Sequence, residues 1–143
     1  MEITYRKAEF ADAESIYKLS EELIYKYEDI SAIDVERVLA WVRKKIENNI
    51  GEYVCVLADR EKAGYYRAHT ENGETELDDL YIYPQYQRRG IGTKIIEKCC
   101  SETEYPIFLY VFIKNIDAVR LYERLGFEIT ETVHGTRYIM RKN

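Results

Sequence analysis

Apolar positions recur along this chain with two periods, and the switches between them mark its elements. Ile3 to Ala8 alternates, which predicts a first strand. After Asp12 the period lengthens. Ile16, Leu19, Leu23 and Tyr27 stand three and four residues apart, one apolar face of a helix that Asp12 opens. A loop follows near Ile30-Ser31. Asp34 is a good N-cap for a second helix carrying Val35, Val38, Leu39, Val42 and Ile46, ended by Asn48-Asn49-Ile50-Gly51. Trp41 lies just off that face and reads as core edge.

Strands come next. Tyr53 to Ala58 is a continuous β-favouring run, Asp59 to Lys62 a polar turn, and Ala63 to His69 the return strand of a hairpin. Glu71-Asn72-Gly73-Glu74 is another turn. Glu76 to Tyr83 is a fourth strand, stopped by Pro84. Gly90 to about Cys100 returns to the helical period, with Ile91, Ile95, Ile96 and Cys99 on one face. Ile107 to Phe112 is almost wholly apolar, which predicts a strand buried on both faces. Asn115 caps a helix bearing Ala118, Leu121, Tyr122 and Leu125, and Gly126 stands at its C′ position. Phe127 to Val133 and Thr136 to Met140 form a closing hairpin around His134-Gly135. The order is β-α-α-β-β-β-α-β-α-β-β. Late strand-helix-strand units imply parallel pairing and early hairpins antiparallel pairing, so an α/β fold with a mixed sheet and helices on both faces follows.

Composition narrows the class. The 143 residues fit one domain, residues 1–143, with 46% hydrophobic and 33% charged side chains, a soluble globular balance. No apolar run approaches the roughly 20 residues of a membrane helix. The start, Met1 to Arg6, lacks the apolar stretch of a secretory signal, so a cytoplasmic address and no membrane partner are expected. Cys55, Cys99 and Cys100 have neither disulfide nor metal-ligand spacing, and no metal is expected. A net charge of −5 argues against nucleic acid as a partner. The 14 tyrosines suit a pocket wall as well as a core.

One segment departs from the acidic background. Between Gln87 and Lys98 the basic residues Arg88, Arg89, Lys94 and Lys98 face the single acid Glu97. Gln87-Arg88-Arg89-Gly90-Ile91-Gly92 sits between a strand and an amphipathic helix, a layout that binds phosphate. Free N–H groups at a helix start point toward an anion, and the helix dipole adds to the attraction. Gly90 and Gly92 let the backbone approach a pyrophosphate with no Cβ in the way. No Gly-Lys-Ser/Thr follows, so this is not a P-loop, and the first glycine of the dinucleotide fingerprint is absent.

Leu80 to Gly92, reading Leu-Tyr-Ile-Tyr-Pro-Gln-Tyr-Gln-Arg-Arg-Gly-Ile-Gly, resembles the signature of GNAT N-acetyltransferases. Their core is a Gln/Arg-x-x-Gly-x-Gly/Ala loop after the fourth strand. Asn115 to Phe127 is similar to a second family segment, Asn…Ala…Leu-Tyr…Gly-Phe, and the element order agrees over essentially the whole chain. The resemblance implies a mostly antiparallel twisted sheet of about 6–7 strands with about 4 helices on both faces. It implies acetyl-CoA as co-substrate and direct transfer to an amine. Gln87 and the backbone N–H groups from Arg88 through Arg89, Gly90, Ile91 and Gly92 to Thr93 would hold the pyrophosphate. Backbone groups of Leu80, Tyr81 and Ile82 would pair with the pantetheine arm, with Asn115 nearby. Tyr122, seven residues after Asn115 and so two turns along the same helix, matches the general acid. Gln85 departs from the pattern, where the family often has an acid, on an exposed turn. A CoA-binding sensor or scaffold without catalysis is the alternative.

The base is open. Glu76 stands where some family members carry a catalytic Glu, and period two places Glu76, Asp78, Leu80 and Ile82 on one strand face. Asp78, Asp79, His69 and a water relay are the other candidates. The clue to the acceptor is charge. Glu71, Glu74, Glu76, Asp78 and Asp79 cluster before the signature, and Glu21, Glu22, Glu28 and Asp29 lie near Tyr25 and Tyr27. The resemblance makes the loop after the first helix one wall of the acceptor site. An acidic, tyrosine-rich wall of Tyr25, Tyr27, Glu28, Asp29 and Asp78 would draw a cationic small molecule or basic peptide. A monomer or homodimer is expected.

Overall fold

The computed structural model describes all 143 residues. In chain order the elements are β1 (Ile3–Lys7), α1 (Ala13–Tyr27), α2 (Val35–Asn48), β2 (Tyr53–Ala58), β3 (Glu61–Glu71), β4 (Glu74–Ile82), α3 (Ile91–Glu102), β5 (Ile107–Phe112), α4 (Ile116–Arg124), β6 (Glu128–Val133) and β7 (Arg137–Lys142). The seven strands form one sheet in the order β1-β2-β3-β4-β5-β7-β6. Only β4 and β5 are parallel; every other neighbour pair is antiparallel. This is the mixed sheet that the residue pattern predicts, mostly antiparallel and with four helices as the family resemblance implies. No helix is long and apolar enough to cross a membrane.

Local chemistry accounts for the turns. The β3–β4 hairpin closes through Asn72 (φ 52°) and Gly73 (φ 77°), the two left-handed residues that a two-residue hairpin loop requires. Asp34 caps α2 by accepting the Arg37 N–H at 3.2 Å, and Asn115 caps α4 by accepting the Ala118 N–H at 3.4 Å. Asp12 stands at the N-cap of α1, where the sequence places the helix start, but its side chain is used elsewhere. Its carboxylate accepts from the Glu9 N–H, Arg6, Lys62 and the Tyr65 hydroxyl, so it ties β1, β3 and the entry to α1 together without capping the helix.

Each face of the sheet has its own core. One face packs α3 and α4 against Val56, Tyr66, Leu77, Leu109 and Met140. Ile91, Ile95 and Ile96 are almost fully buried there, each contributing about 2 kcal/mol over an exposed side chain, which anchors the start of α3 and fixes the loop before it. The other face packs α1 and α2 against Tyr53, Cys55 and Tyr65, with Tyr81 and Phe112 at its margin.

That second core draws nothing from β6 or β7. The expectation that β5 is buried on both faces is corrected here. Ile107, Leu109 and Val111 are buried, but Tyr110 on the opposite face is 44% exposed, because α1 and α2 cover the β1–β4 half of the sheet.

A second correction concerns β4. Tyr65 pairs with Tyr81 and Arg67 with Asp78, so two steps along β3 match three along β4. The extra residue is a β-bulge at Asp79, whose φ is +49°. The bulge breaks the period of two, and the face shared by Glu76, Asp78, Leu80 and Ile82 does not form. Leu80 and Ile82 pack with Leu77 on the α3–α4 side, while Asp78 and Asp79 both meet Lys45 of α2 on the other.

Candidate active site

The parallel strands β4 and β5 pair only at Thr75–Ile107 and Glu76–Phe108. Beyond those two positions they splay, and the β5-facing edge of Leu77 to Ile82 has no strand partner. Two clefts open in the gap. The first, of about 770 Å³, runs between α1, Leu80 to Ile82, the Pro84–Thr93 segment and α4. The second, of about 650 Å³, lies toward α2 and the β6–β7 turn. Leu23, Leu80, Tyr81, Asn115, Ala118 and Tyr122 line both.

The first cleft gathers almost all of the residues expected to bind CoA. Leu80, Tyr81, Ile82, Gln87, Arg88, Gly90, Ile91, Gly92, Thr93 and Asn115 line it. Arg89 does not; its guanidinium lies over the Tyr86 ring, 5.8 Å from the centroid. Arg88 (φ 63°) and Gly90 (φ 80°) adopt left-handed backbone, an arrangement that costs Arg88 about 1–2 kcal/mol. A Cβ at Gly90 would meet nothing within 4 Å, so the glycine serves the backbone angle and the open space above it. Gly92 works by close approach, with a Cβ there 3.4 Å from Leu121 Cδ2 of α4. The first N–H groups of α3 have no partner within the helix, and the residues that carry them line the first cleft, the arrangement by which helix starts receive anions. The Gln87 side chain donates to the Ile82 carbonyl at 2.9 Å and so pins the loop to the end of β4. Arg120 and Arg124 of α4 join Arg88 and Lys26 on the wall. Sequence reading missed those two arginines, though their spacing of four on a helix is the signal that both face one way. The donors, the cations and the free strand edge fit a long ligand with an anionic end and an amide-bearing arm.

Tyr122 stands where the clefts meet. It is 8% exposed, and its ring packs against Phe127 with centroids 5.9 Å apart. Burial alone pushes its pKa up to about 12. It is protonated at neutral pH, with no charged neighbour holding its proton.

The second cleft contains Glu76, Asp78 and Asp79. Sequence reading missed their partners. Lys45 Nζ of α2 lies 3.2 Å from Asp78 and 2.9 Å from Asp79. Arg67 of β3 lies 3.2 Å from Asp78 and 2.8 Å from Glu52. Tyr53 and Tyr81 both donate hydroxyl hydrogen bonds to Asp79. Burial raises the Asp78 pKa, and the Asp79 charge raises it further, against the pull of Lys45 and Arg67. Glu76 has no ion pair; burial first and the Asp78 charge second raise its pKa above the usual carboxylate range.

The other expected residues lie elsewhere. His69 bridges Glu52 and Glu71 at 2.9 and 3.2 Å, outside both clefts. Glu74 pairs with Arg141. Tyr25 is exposed, Asp29 accepts from Ser31, and neither these nor Glu28 lines a cleft. Tyr27 is one ring away, stacked on Phe112 of the second cleft at 5.9 Å. Trp41, expected at the core edge, is 64% exposed and lines the second cleft. Cys99 is buried and its pKa pushed up to about 12, and burial raises that of Cys55, which suits packing and not nucleophilic attack.

Comparison with known proteins agrees with this architecture. The spermine/spermidine N(1)-acetyltransferase of Bacillus subtilis is 34% identical over 68 residues, covering 44% of this chain and 45% of that protein. The ribosomal protein bS18-alanine N-acetyltransferase of Salmonella typhimurium is 32% identical over 94 residues, 61% of this chain and 64% of that one. The chain thus spans less than two thirds of the length of these relatives. The crystal structure of the PaiA N-acetyltransferase from Thermoplasma acidophilum, in complex with coenzyme A, superposes with a TM-score of 0.74 at 23% identity, over 100% of this chain and 99% of that one. Residues 12–127 match the profile of one family, and the chain belongs to it: the acetyltransferase (GNAT) family.

Proposed function

We propose that this protein transfers an acetyl group from acetyl-CoA to a primary amine by direct attack. The observation that carries the reading is the position of Tyr122, buried, protonated and shared by two clefts. In this account the first cleft takes CoA. The α3 N–H groups, Arg88, Arg120 and Arg124 hold its phosphates, and the free β4 edge at Leu80 to Ile82 pairs with the pantetheine amides. The neutral amine enters from the second cleft and attacks the thioester carbon. A C–N bond forms, and a β4 backbone N–H steadies the oxyanion. The C–S bond then breaks, and the thiolate takes the Tyr122 proton. The proton lost by the amine passes, directly or through water, to Glu76, whose pKa burial raises above the ordinary value, the direction that makes its carboxylate a stronger base.

The acceptor we propose is a cationic small molecule or a basic peptide. Glu76, the one unpaired carboxyl of the second cleft, supports a cationic amine. Of the expected rim, Tyr27 touches the cleft wall through its stack on Phe112, while Tyr25, Glu28 and Asp29 lie outside the cleft and the two acids would act only through their long-range field. The substrates in the relatives' names, spermine or spermidine and an alanine of ribosomal protein bS18, support the amine class. A cytoplasmic setting accords with three free cysteines. The test is thiol release from acetyl-CoA across polyamines, amino acids, aminoglycosides and peptide N-termini. At least one amine is expected to raise release well above hydrolysis. No response to any amine, with acetyl-CoA bound, would leave a CoA-binding module without transferase activity.

A further inference from the structure

Two charged residues of the second cleft have no ion-pair partner, one of each sign: the carboxyl of Glu76 and the guanidinium of Arg137. Lys45, Arg67 and Arg137 line the cleft opposite Glu76, Asp78 and Asp79. Lys45 and Arg67 are taken up by Asp78, Asp79 and Glu52. Arg137 has no carboxylate within ion-pair distance. Its guanidinium lies over the Tyr110 ring, 5.5 Å from the centroid, and its Nε is buried without a hydrogen-bond partner. A desolvated donor with no acceptor is costly, and native proteins leave few of them. A carboxylate meets the planar guanidinium fork in a way that a lone carbonyl cannot.

We infer that the acceptor carries its own carboxylate, held by Arg137, at the opposite end of the molecule from the reacting amine. This rests on the transferase reading, and it revises the acceptor from a plain cation to an amine that also bears a carboxylate, a basic or ω-amino carboxylic acid. The register sets the spacing. Glu76 pairs with Phe108 and Arg137 with Phe112, four residues further along β5. That puts the two backbone positions roughly 13 Å apart along the strand axis, a span that suits an amine and a carboxylate separated by several methylenes better than a pair on one carbon. A cleft of about 650 Å³ is of small-molecule size. Tyr110 and the exposed face of Trp41 supply an apolar wall for the methylenes between the two ends.

Trp41 is the only tryptophan, so its fluorescence reports occupancy of this cleft independently of turnover. The probes are 6-aminohexanoate, lysine, lysinamide and cadaverine, applied to the CoA-loaded protein and, separately, as acceptors with acetyl-CoA. The two carboxylates are expected to bind, and to turn over by kcat/KM, at least tenfold better than the amide or the diamine. Arg137→Gln is expected to erase that preference, and Arg137→Lys to keep part of it. Equal use of carboxylate and amide by the wild type, or a preference that survives in R137Q, overturns the inference. A carboxylate preference in Trp41 fluorescence without thiol release from any amine supports the anion site and overturns the transferase reading alone. Absence of both signals overturns both.

Discussion

Lys45 Nζ of α2 sits 2.9 Å from the Asp79 carboxylate, on the residue whose left-handed backbone makes the β4 bulge. The pair couples a helix to the point where the strand edge turns toward the first cleft. Burial alone would lower the Lys45 pKa, yet Asp79 and then Asp78 raise it above the ordinary lysine value. Its contribution to stability is therefore complete below pH 10.5, the ordinary value, and lost as pH climbs through the raised one. Lys45→Met leaves Asp79 with no cation and Asp78 with Arg67 alone. It is expected to cost about 3 kcal/mol, at the lower end for such pairs because the side chains keep some exposure. Urea denaturation checks this, and Lys45→Arg should restore part of the loss.

Asp12 makes the opposite pH prediction. Burial would raise its pKa, but hydrogen bonds from Arg6, the Glu9 N–H, Lys62 and Tyr65 hold it well below the usual range. Its contribution is full above its ordinary pKa of 3.8 and fades as pH falls below that. Asp12→Asn is expected to cost about 3 kcal/mol at pH 7, with the gap from wild type narrowing in acid. Chemical denaturation at pH 7 and pH 3 measures both. A gap that widens in acid contradicts the assignment.

Gly90→Val separates binding from folding. No neighbour lies within 4 Å of the added Cβ, so packing is spared, while φ 80° is strained for a β-branched residue and the loop must shift. Calorimetry is expected to show micromolar acetyl-CoA binding in the wild type and none in the variant, with a melting temperature lowered by only a few degrees. Retained affinity would place the pyrophosphate elsewhere.

Glu76→Gln tests the base. The acid limb of kcat/KM is expected above pH 4.5, the ordinary value, because burial and Asp78 raise the Glu76 pKa. The limb should disappear in E76Q, with turnover down at least tenfold. An unchanged limb would assign the proton to a water relay.

The local chemistry of this protein is legible in its sequence. Gly90 and Gly92, the Asn115 cap and the apolar faces of α2 and α3 follow from residues within a few positions of one another. What escaped depends on distance or on an unmarked backbone choice. Nothing in Leu77-Asp78-Asp79-Leu80 signals a bulge, because the left-handed residue is an aspartate and no glycine or proline flags it. Lys45 meets Asp78 across 33 residues of sequence, so an acidic cluster reads as free charge until the helix is docked on the sheet. The exposure of Tyr110 was hidden for a related reason. An apolar run shows that a strand can be buried on both faces, not that helices are present to cover both.

Tyr122→Phe tests the central claim most directly. Burial alone sets the state of the Tyr122 hydroxyl, so removing it breaks no ion pair and should leave stability within about 0.5 kcal/mol. Thiol release from acetyl-CoA with the best amine, measured beside acetyl-CoA affinity by calorimetry, gives the answer. The account predicts turnover down at least tenfold with affinity for acetyl-CoA unchanged. Turnover equal to wild type in Y122F would contradict it.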